Sequence, residues 1–261
     1  MSAFVELYRS QLLVFLFVFA RVGGLVVVAP VFGIQQAPKY LRVVLAVAIA
    51  LMIAPVFWTD GQPEPDNMAT LLIALCRESI LGLMMGLALV VVVAGLQAAG
   101  RVIGQMSGIS LAQVIDPEAG TSTPLFGKFF ELTATAFFLL VGGHRQVLAA
   151  LLDTFQWMRP GHVGFSASLF ETLNEVVAQS FLLALRVSAP VVLALLLATL
   201  IVGFVSRAVP QLNTIAVGFS LNAVLAMAVM SVTLGGAAWL FRDHAEAAIQ
   251  AMCSTLTTVT S

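Results

Sequence analysis

RVIGQMSGISLAQVIDPEAGTSTPLFGK, residues Arg101 to Lys128, is neither a credible membrane span nor an ordinary charged loop, although long apolar segments flank it on both sides. It combines helix breakers (Gly104, Gly108, Pro117, Gly120 and Pro124) with apolar residues such as Ile109, Leu111, Val114 and Ile115. A solvent loop has little use for those side chains, and a helix crossing lipid does not tolerate Asp116-Pro117-Glu118. Irregular backbone survives at membrane depth only when it is buried in protein or lines a cavity. The stretch is therefore read as the working part of the chain.

Composition supports a membrane setting. Of 261 residues, 60% are hydrophobic and 10% charged, with a mean hydropathy of +1.03. These values exclude an ordinary soluble domain and predict an all-α, polytopic helical protein associated with a membrane. A net charge of −1 and the lack of a basic run give no reason to expect nucleic acid or a polybasic lipid patch. Cys76 and Cys253 stand far apart and in no ligand spacing, so they are read as structural thiols rather than a metal or redox site.

Working outward, the N-terminal apolar run from Leu12 to Phe32 is longer than a signal-peptide core and is read as an uncleaved helix. Arg21 lies in mid-run, where an arginine is costly in lipid and faces protein or water. The run from Val43 to Trp58 falls short of the roughly 20 residues that a helical crossing needs. Thr59 to Asn67, acidic and proline-rich, reads as a solvent-facing connector. Met68 to Gly100 is interrupted by Arg77-Glu78; neighbours on a helix point apart, so each is expected to pair with another element. Gly82 and Gly86, then Gly100, Gly104 and Gly108, recur at the four-residue spacing that lets another backbone approach one helix face. Met84, Met85 and Met106 are adaptable packing residues.

Beyond the central stretch, Phe129 to Gly143 is another short apolar run, ending in His144-Arg145. Residues 146 to 175 read as a more polar connection broken at Pro160-Gly161, with Leu148, Leu151, Leu152 and Phe155 on one apolar face. Val176 to Ser206 holds Arg186 four residues before Pro190. Proline there leaves the Arg186 carbonyl without its helical donor and predicts a kink beside a buried charge. Ser206 to Asn213 is short enough to be only the turn of a helical hairpin, whose second helix runs from about Thr214 to Phe241.

At this turn the sequence resembles a known family. Gly203-Phe204-Val205-Ser206-Arg207-Ala208-Val209-Pro210-Gln211-Leu212-Asn213, followed by Val217-Gly218-Phe219, is similar to the signature of the FliR family of flagellar export-gate proteins, whose injectisome counterparts form the SctT family. Three further stretches match in the same order: Arg21-Val22-Gly23-Gly24 with Ala29-Pro30-Val31-Phe32-Gly33, Gly104-Gln105 with Asp116-Pro117, and Ala189-Pro190. The family continues its glycine-phenylalanine with proline and then a lysine, where this chain has Ser220 and Asn222. The form of the Ser206 to Asn213 turn and Val217-Gly218-Phe219 favour the flagellar branch.

The resemblance implies a core subunit of the bacterial type III protein export gate, passing unfolded substrates. Its partners would be FliP-like and FliQ-like subunits in a helical cone, beside FlhB-like and FlhA-like subunits, in the bacterial inner membrane and flagellar basal body. Residues 1–175 would form a FliP-like part and 176–261 a FliQ-like hairpin and tail. Residues 101–128 would be a plug in the pore, carried by Gly104, Gln105, Gly108, Asp116, Pro117 and Gly120. Partner contacts would fall on Arg207, Pro210, Gln211, Asn213, Arg186 and Arg21. No cofactor, metal or catalytic residue is implied.

Two other classes are weaker. A secondary transporter would use Arg21, Arg186 and broken helices, but the paired repeats typical of such folds are not visible. An intramembrane enzyme would need an assembled catalytic group, which His144, Asp153 and Cys76 do not make. Loop charge does not orient the chain. With the N-terminus outside, Lys39, Arg42, Arg101, Lys128 and Arg207 fall on the cytoplasmic side, balanced by Arg9, Arg77, Arg145, Arg159 and Arg242 opposite.

Overall fold

A computed structural model describes residues 2–29, 39–58, 67–108, 125–164, 167–209 and 214–260. Throughout these it is helical, without a strand, as the composition requires. The helices are α1 (Ser2–Val28), α2 (Lys39–Ile53) continued by a 3-10 turn (Ala54–Phe57), α3 (Met68–Met106), α4 (Leu125–Leu140), α5 (Gly143–Trp157), α6 (Ala167–Ala208) and α7 (Thr214–Thr260). Among the described residues, five segments are long and apolar enough to cross a membrane: Arg9–Val28, Tyr40–Phe57, Met68–Met106, Ser168–Ala208 and Gly218–Met252. A sixth exists if α4 and α5 are taken as one broken span. The chain is an all-α, multi-pass membrane protein by these criteria.

Helix boundaries follow local chemistry. α3 begins directly after the proline-rich connector, where the Thr70 hydroxyl donates to the Asn67 carbonyl at 2.6 Å and accepts from the Asn67 N–H at 3.2 Å. Tyr40 to Phe57 is longer than the run counted from Val43, because Tyr40 to Arg42 are already helical and Pro55 sits in the first turn of the 3-10 helix. Proline is tolerated there, since a first-turn N–H has no partner in any case. Residues 146 to 175 are likewise mostly helical, in α5 and the start of α6.

The chain forms two compact units: residues 1–91, 142–177 and 245–261 make one, and 92–141 and 178–244 the other. In the first, Phe17, Val22, Leu25, Leu81, Leu151 and Phe155 are buried. The buried face of α5 is Val147, Ala150, Leu151, Thr154 and Phe155. Leu152, expected on that face, is 44% exposed; it is one position round the helix from Leu151 and points away. Met84 and Met85 pack into the core as ordinary filler, whereas Met106 is exposed.

In the second unit, the last turns of α3 pack on α4 and α6 where glycines remove the side chain. A Cβ on Gly95 would lie 2.5 Å from the Ser180 carbonyl oxygen, and one on Gly100 would lie 2.5 Å from that of Phe126. Leu96, Ile103, Phe130, Leu183, Val191 and Leu195 fill this core. α6 and α7 also meet here: Asn222 Nδ2 donates to Thr199 Oγ1 at 3.3 Å. Asn222 thus links the two helices of the hairpin.

Candidate functional site

The most heavily built polar site lies in the first unit around Arg21. Its side chain is fully buried, as is that of Glu78. The Nε of Arg21 donates to Glu78 Oε2 at 2.6 Å, Nη1 to Thr154 Oγ1 at 3.1 Å and Nη2 to the Met158 carbonyl at 3.1 Å. Phe155 presents its ring 4.2 Å from the guanidinium carbon, a cation–π contact strengthened by burial. The other carboxylate oxygen of Glu78 accepts from the Gly161 N–H at 2.7 Å.

This arrangement explains how a charge survives there. Buried guanidinium is tolerable only when paired and hydrogen-bonded, and here all three nitrogens have partners. The network also satisfies backbone. α5 ends at Met158, whose extended conformation starts the turn through Pro160 and Gly161. The network gives the Met158 carbonyl and Gly161 N–H of that part-buried turn their side-chain partners. Arg21 and Glu78 are therefore the two halves of a clamp that fastens α1, α3 and the turn after α5.

Arg21 faces protein, as its mid-run position indicates, but the protein is its own chain, and a fully buried side chain differs from the partner contact the resemblance implies for it. Glu78 pairs with another element while its neighbour Arg77 is exposed. That Arg21 and Glu78 pair with one another was not legible. They stand 57 positions apart, and no spacing rule links them. Thr154 gave no signal, since a threonine among leucines on a helix is unremarkable.

The central stretch is narrower than its composition indicates. Arg101 to Met106 belong to α3, and α4 has begun by Leu125, so the helical ends of residues 101–128 are not irregular backbone. Gly104 is a buried helix residue and Gln105 an exposed one. α3 stops at Ser107, whose hydroxyl donates to the Gly104 carbonyl at 3.0 Å, and at Gly108, which has φ +79°. A left-handed residue after a helix favours glycine. The Phe219 ring lies against Gly108 where a Cβ would be. Asp116, Pro117 and Gly120 lie outside the described residues.

At the hairpin, Arg207 is exposed in the last turn of α6; Pro210, Gln211 and Asn213 also lie outside the described residues. Arg186 differs from its expectation. It is exposed rather than buried, because α6 turns Leu183, Val187 and Val191 inward and leaves Arg186 on the opposite face. α6 runs continuously through Pro190. His144 and Asp153 make no hydrogen bond to each other among the described residues, and Cys76 is exposed and free.

Comparison with known proteins gives one consistent result. The model of a family described as bacterial export proteins, family 1, matches residues 12–248. The chain is 30% identical over 241 residues to the flagellar biosynthetic protein FliR of Bacillus subtilis, covering 90% of this chain and 89% of that one. It is 29% identical over 247 residues to FliR of Caulobacter vibrioides, covering 94% and 96%. With FliR of Escherichia coli it shares 26% over 229 residues, covering 88% and 87%.

Proposed function

Because the chain belongs to the bacterial export proteins, family 1, we propose that it is a core subunit of the flagellar type III protein export gate in the bacterial inner membrane. It assembles there with FliP-like and FliQ-like subunits, beside FlhB-like and FlhA-like ones, into the channel that passes unfolded substrates. The match of FliR proteins over nearly the whole chain carries the reading. Helix length supports it. α6 and α7 have 42 and 47 residues, about 63 and 70 Å at 1.5 Å per residue, against a hydrocarbon layer of roughly 30 Å.

Burial points the same way. The most apolar window of α3 is 61% buried, whereas those in α6 and α7 are 28% and 22% buried. Helices so long and so uncovered need partner surface beyond the bilayer. In this reading, residues 1–175 correspond to a FliP-like part and 176–261 to a FliQ-like hairpin and tail, the change falling within α6. A strain lacking the gene should lose flagellar export, and the tagged chain should coelute with FliP-like and FliQ-like subunits. Normal export without it, or a tagged chain that recovers neither subunit, counts against the proposal.

Two parts of the chain have assigned roles here. Residues 101–128, with Gly104, Gln105, Gly108, Asp116, Pro117 and Gly120, act as the plug. Many weak contacts suit a closure that a passing chain must displace and that must then return. Deleting residues 109–120 while keeping Gly108 should leave assembly intact and raise ion conductance. A deletion that assembles and stays as tight as the parent would sink the plug assignment.

The tip residues Arg207, Pro210, Gln211 and Asn213 dock on a partner. An interfacial charge whose partner is left unpaired costs about 2–5 kcal/mol. Arg207→Ala should therefore lower recovery of the complex without changing the level of the chain itself. Unchanged coelution would remove Arg207 from the interface.

A further inference from the structure

The geometry points to the Arg186 face of α6 as the seat of an apolar helix from another subunit that carries a carboxylate level with Arg186; this rests on the export-gate reading above. Leu182, Leu185, Ala189, Leu193, Leu197, Leu200 and Phe204 are all exposed on α6, at the three- and four-residue steps by which one helix anchors on another. Arg186 stands in this stripe. It has no hydrogen-bond or ion-pair partner among the described residues. Pro190, also exposed, has no N–H for the Arg186 carbonyl.

Lipid alone does not fit the face. Between Glu175 and Arg207 the only charge is Arg186, and that interval rises about 48 Å at 1.5 Å per residue, against roughly 30 Å of hydrocarbon. A bilayer placed to begin beyond Arg186 leaves Leu182 and Leu185 in water. A bilayer that covers those residues takes in an unpaired guanidinium, which is costly. A protein partner removes both difficulties if it is apolar and supplies an acceptor.

Guanidinium has five donors and no acceptor, so its complement is a carboxylate, which it binds in a planar, bidentate fashion. Another copy of the same face cannot supply one, because residues 176–206 contain no acid. The occupant is therefore a different chain. A lysine or arginine at the matching level of a competing helix would be rejected by like charge.

The test uses the full chain expressed with its gate partners. Arg186→Leu and Arg186→Glu should each reduce coelution of the FliP-like and FliQ-like subunits at least about tenfold, while Arg186→Lys, which keeps the charge, should stay within a few-fold of the parent. The level of each variant expressed without partners reports folding separately. A photo-crosslinking residue at Leu193 in the otherwise unaltered chain should join it to one of those subunits near a carboxylate.

Three results overturn the inference. Arg186→Leu could assemble as well as the parent, as a lipid-facing site would; the crosslinker could give a dimer of this chain; or it could give lipid adducts alone. If the parent chain recovers no gate subunit, the export-gate reading fails. If the parent does and Arg186→Leu matches it, only the inference about this face fails.

Discussion

Glu78→Ala should remove the protein from the membrane fraction or leave it protease-sensitive, and Arg21→Ala should do nearly the same. Each change leaves one buried charge without its counterpart, which costs about 3–5 kcal/mol. Glu78→Ala also strips the Gly161 N–H of its acceptor, and Arg21→Ala strips the Met158 carbonyl and Thr154 hydroxyl of their donor. Against a total stability of about 5–15 kcal/mol for a typical domain, the loss is decisive.

The backbone partners give this prediction a sharper form. In the exchanged pair Arg21→Glu with Glu78→Arg, a carboxylate would face the Met158 carbonyl and a guanidinium would face the Gly161 N–H. Coulomb attraction within the pair would be kept while both backbone contacts became repulsive. The exchange should therefore fail to rescue either single change. Replacing both residues with apolar ones, Arg21→Met with Glu78→Leu, should recover part of the loss, because an apolar pair leaves no buried charge and only backbone groups unsatisfied. Thermal midpoints of the detergent-purified variants, with membrane levels as a check, decide the matter. Full rescue by the exchange would mean that the pair acts through charge alone and does not hold the α5 turn.

Such particulars show what could be read in advance. Arg21 was legible because a charge in a long apolar run has few places to go, and Glu78 because its neighbour on a helix must point elsewhere. The partnership itself depends on how α1, α3 and α5 meet, which no local pattern encodes. At the central stretch, Gly104 looked like a helix breaker but is a helix residue of α3, and Gly100, read by its spacing as a packing position, does lie against α4. Packing overrides their low helix propensity. Arg186 misled for a related reason: periodicity places Leu183, Val187 and Val191 on one face, yet only tertiary structure says which face is covered. The hairpin was read from Ser206 to Asn213, a stretch between two apolar runs that is too short to be anything but a turn.

The four-residue glycine spacing can be resolved into positions that matter and positions that do not. Gly82 on α3 lies against α1 so closely that a Cβ would overlap the Arg21 carbonyl oxygen and come within 3.0 Å of the Leu25 nitrogen. Gly24 reciprocates: its Cβ would overlap the Ser79 carbonyl oxygen and approach the Leu83 nitrogen to 3.0 Å. Backbone cannot rotate aside as a side chain can, so the two helices would have to separate along the whole seam. That movement would also draw Arg21 away from Glu78. Gly82→Ala should cost about 3 kcal/mol, the upper part of the range for overpacking, before any loss from the ion pair. At Gly23 a Cβ meets nothing within 4 Å, and at Gly104 it meets the Phe126 ring at 3.6 Å, an ordinary contact. Gly23→Ala should be neutral or stabilise by about 0.5–1 kcal/mol, since glycine inside a helix costs that much relative to alanine, and Gly104→Ala should be tolerated. Thermal midpoints of the three variants should thus split widely, with Gly82→Ala far below the parent and the other two at or above it. If Gly82→Ala matched Gly23→Ala, the close α1–α3 contact would not be what holds the clamp residues in register.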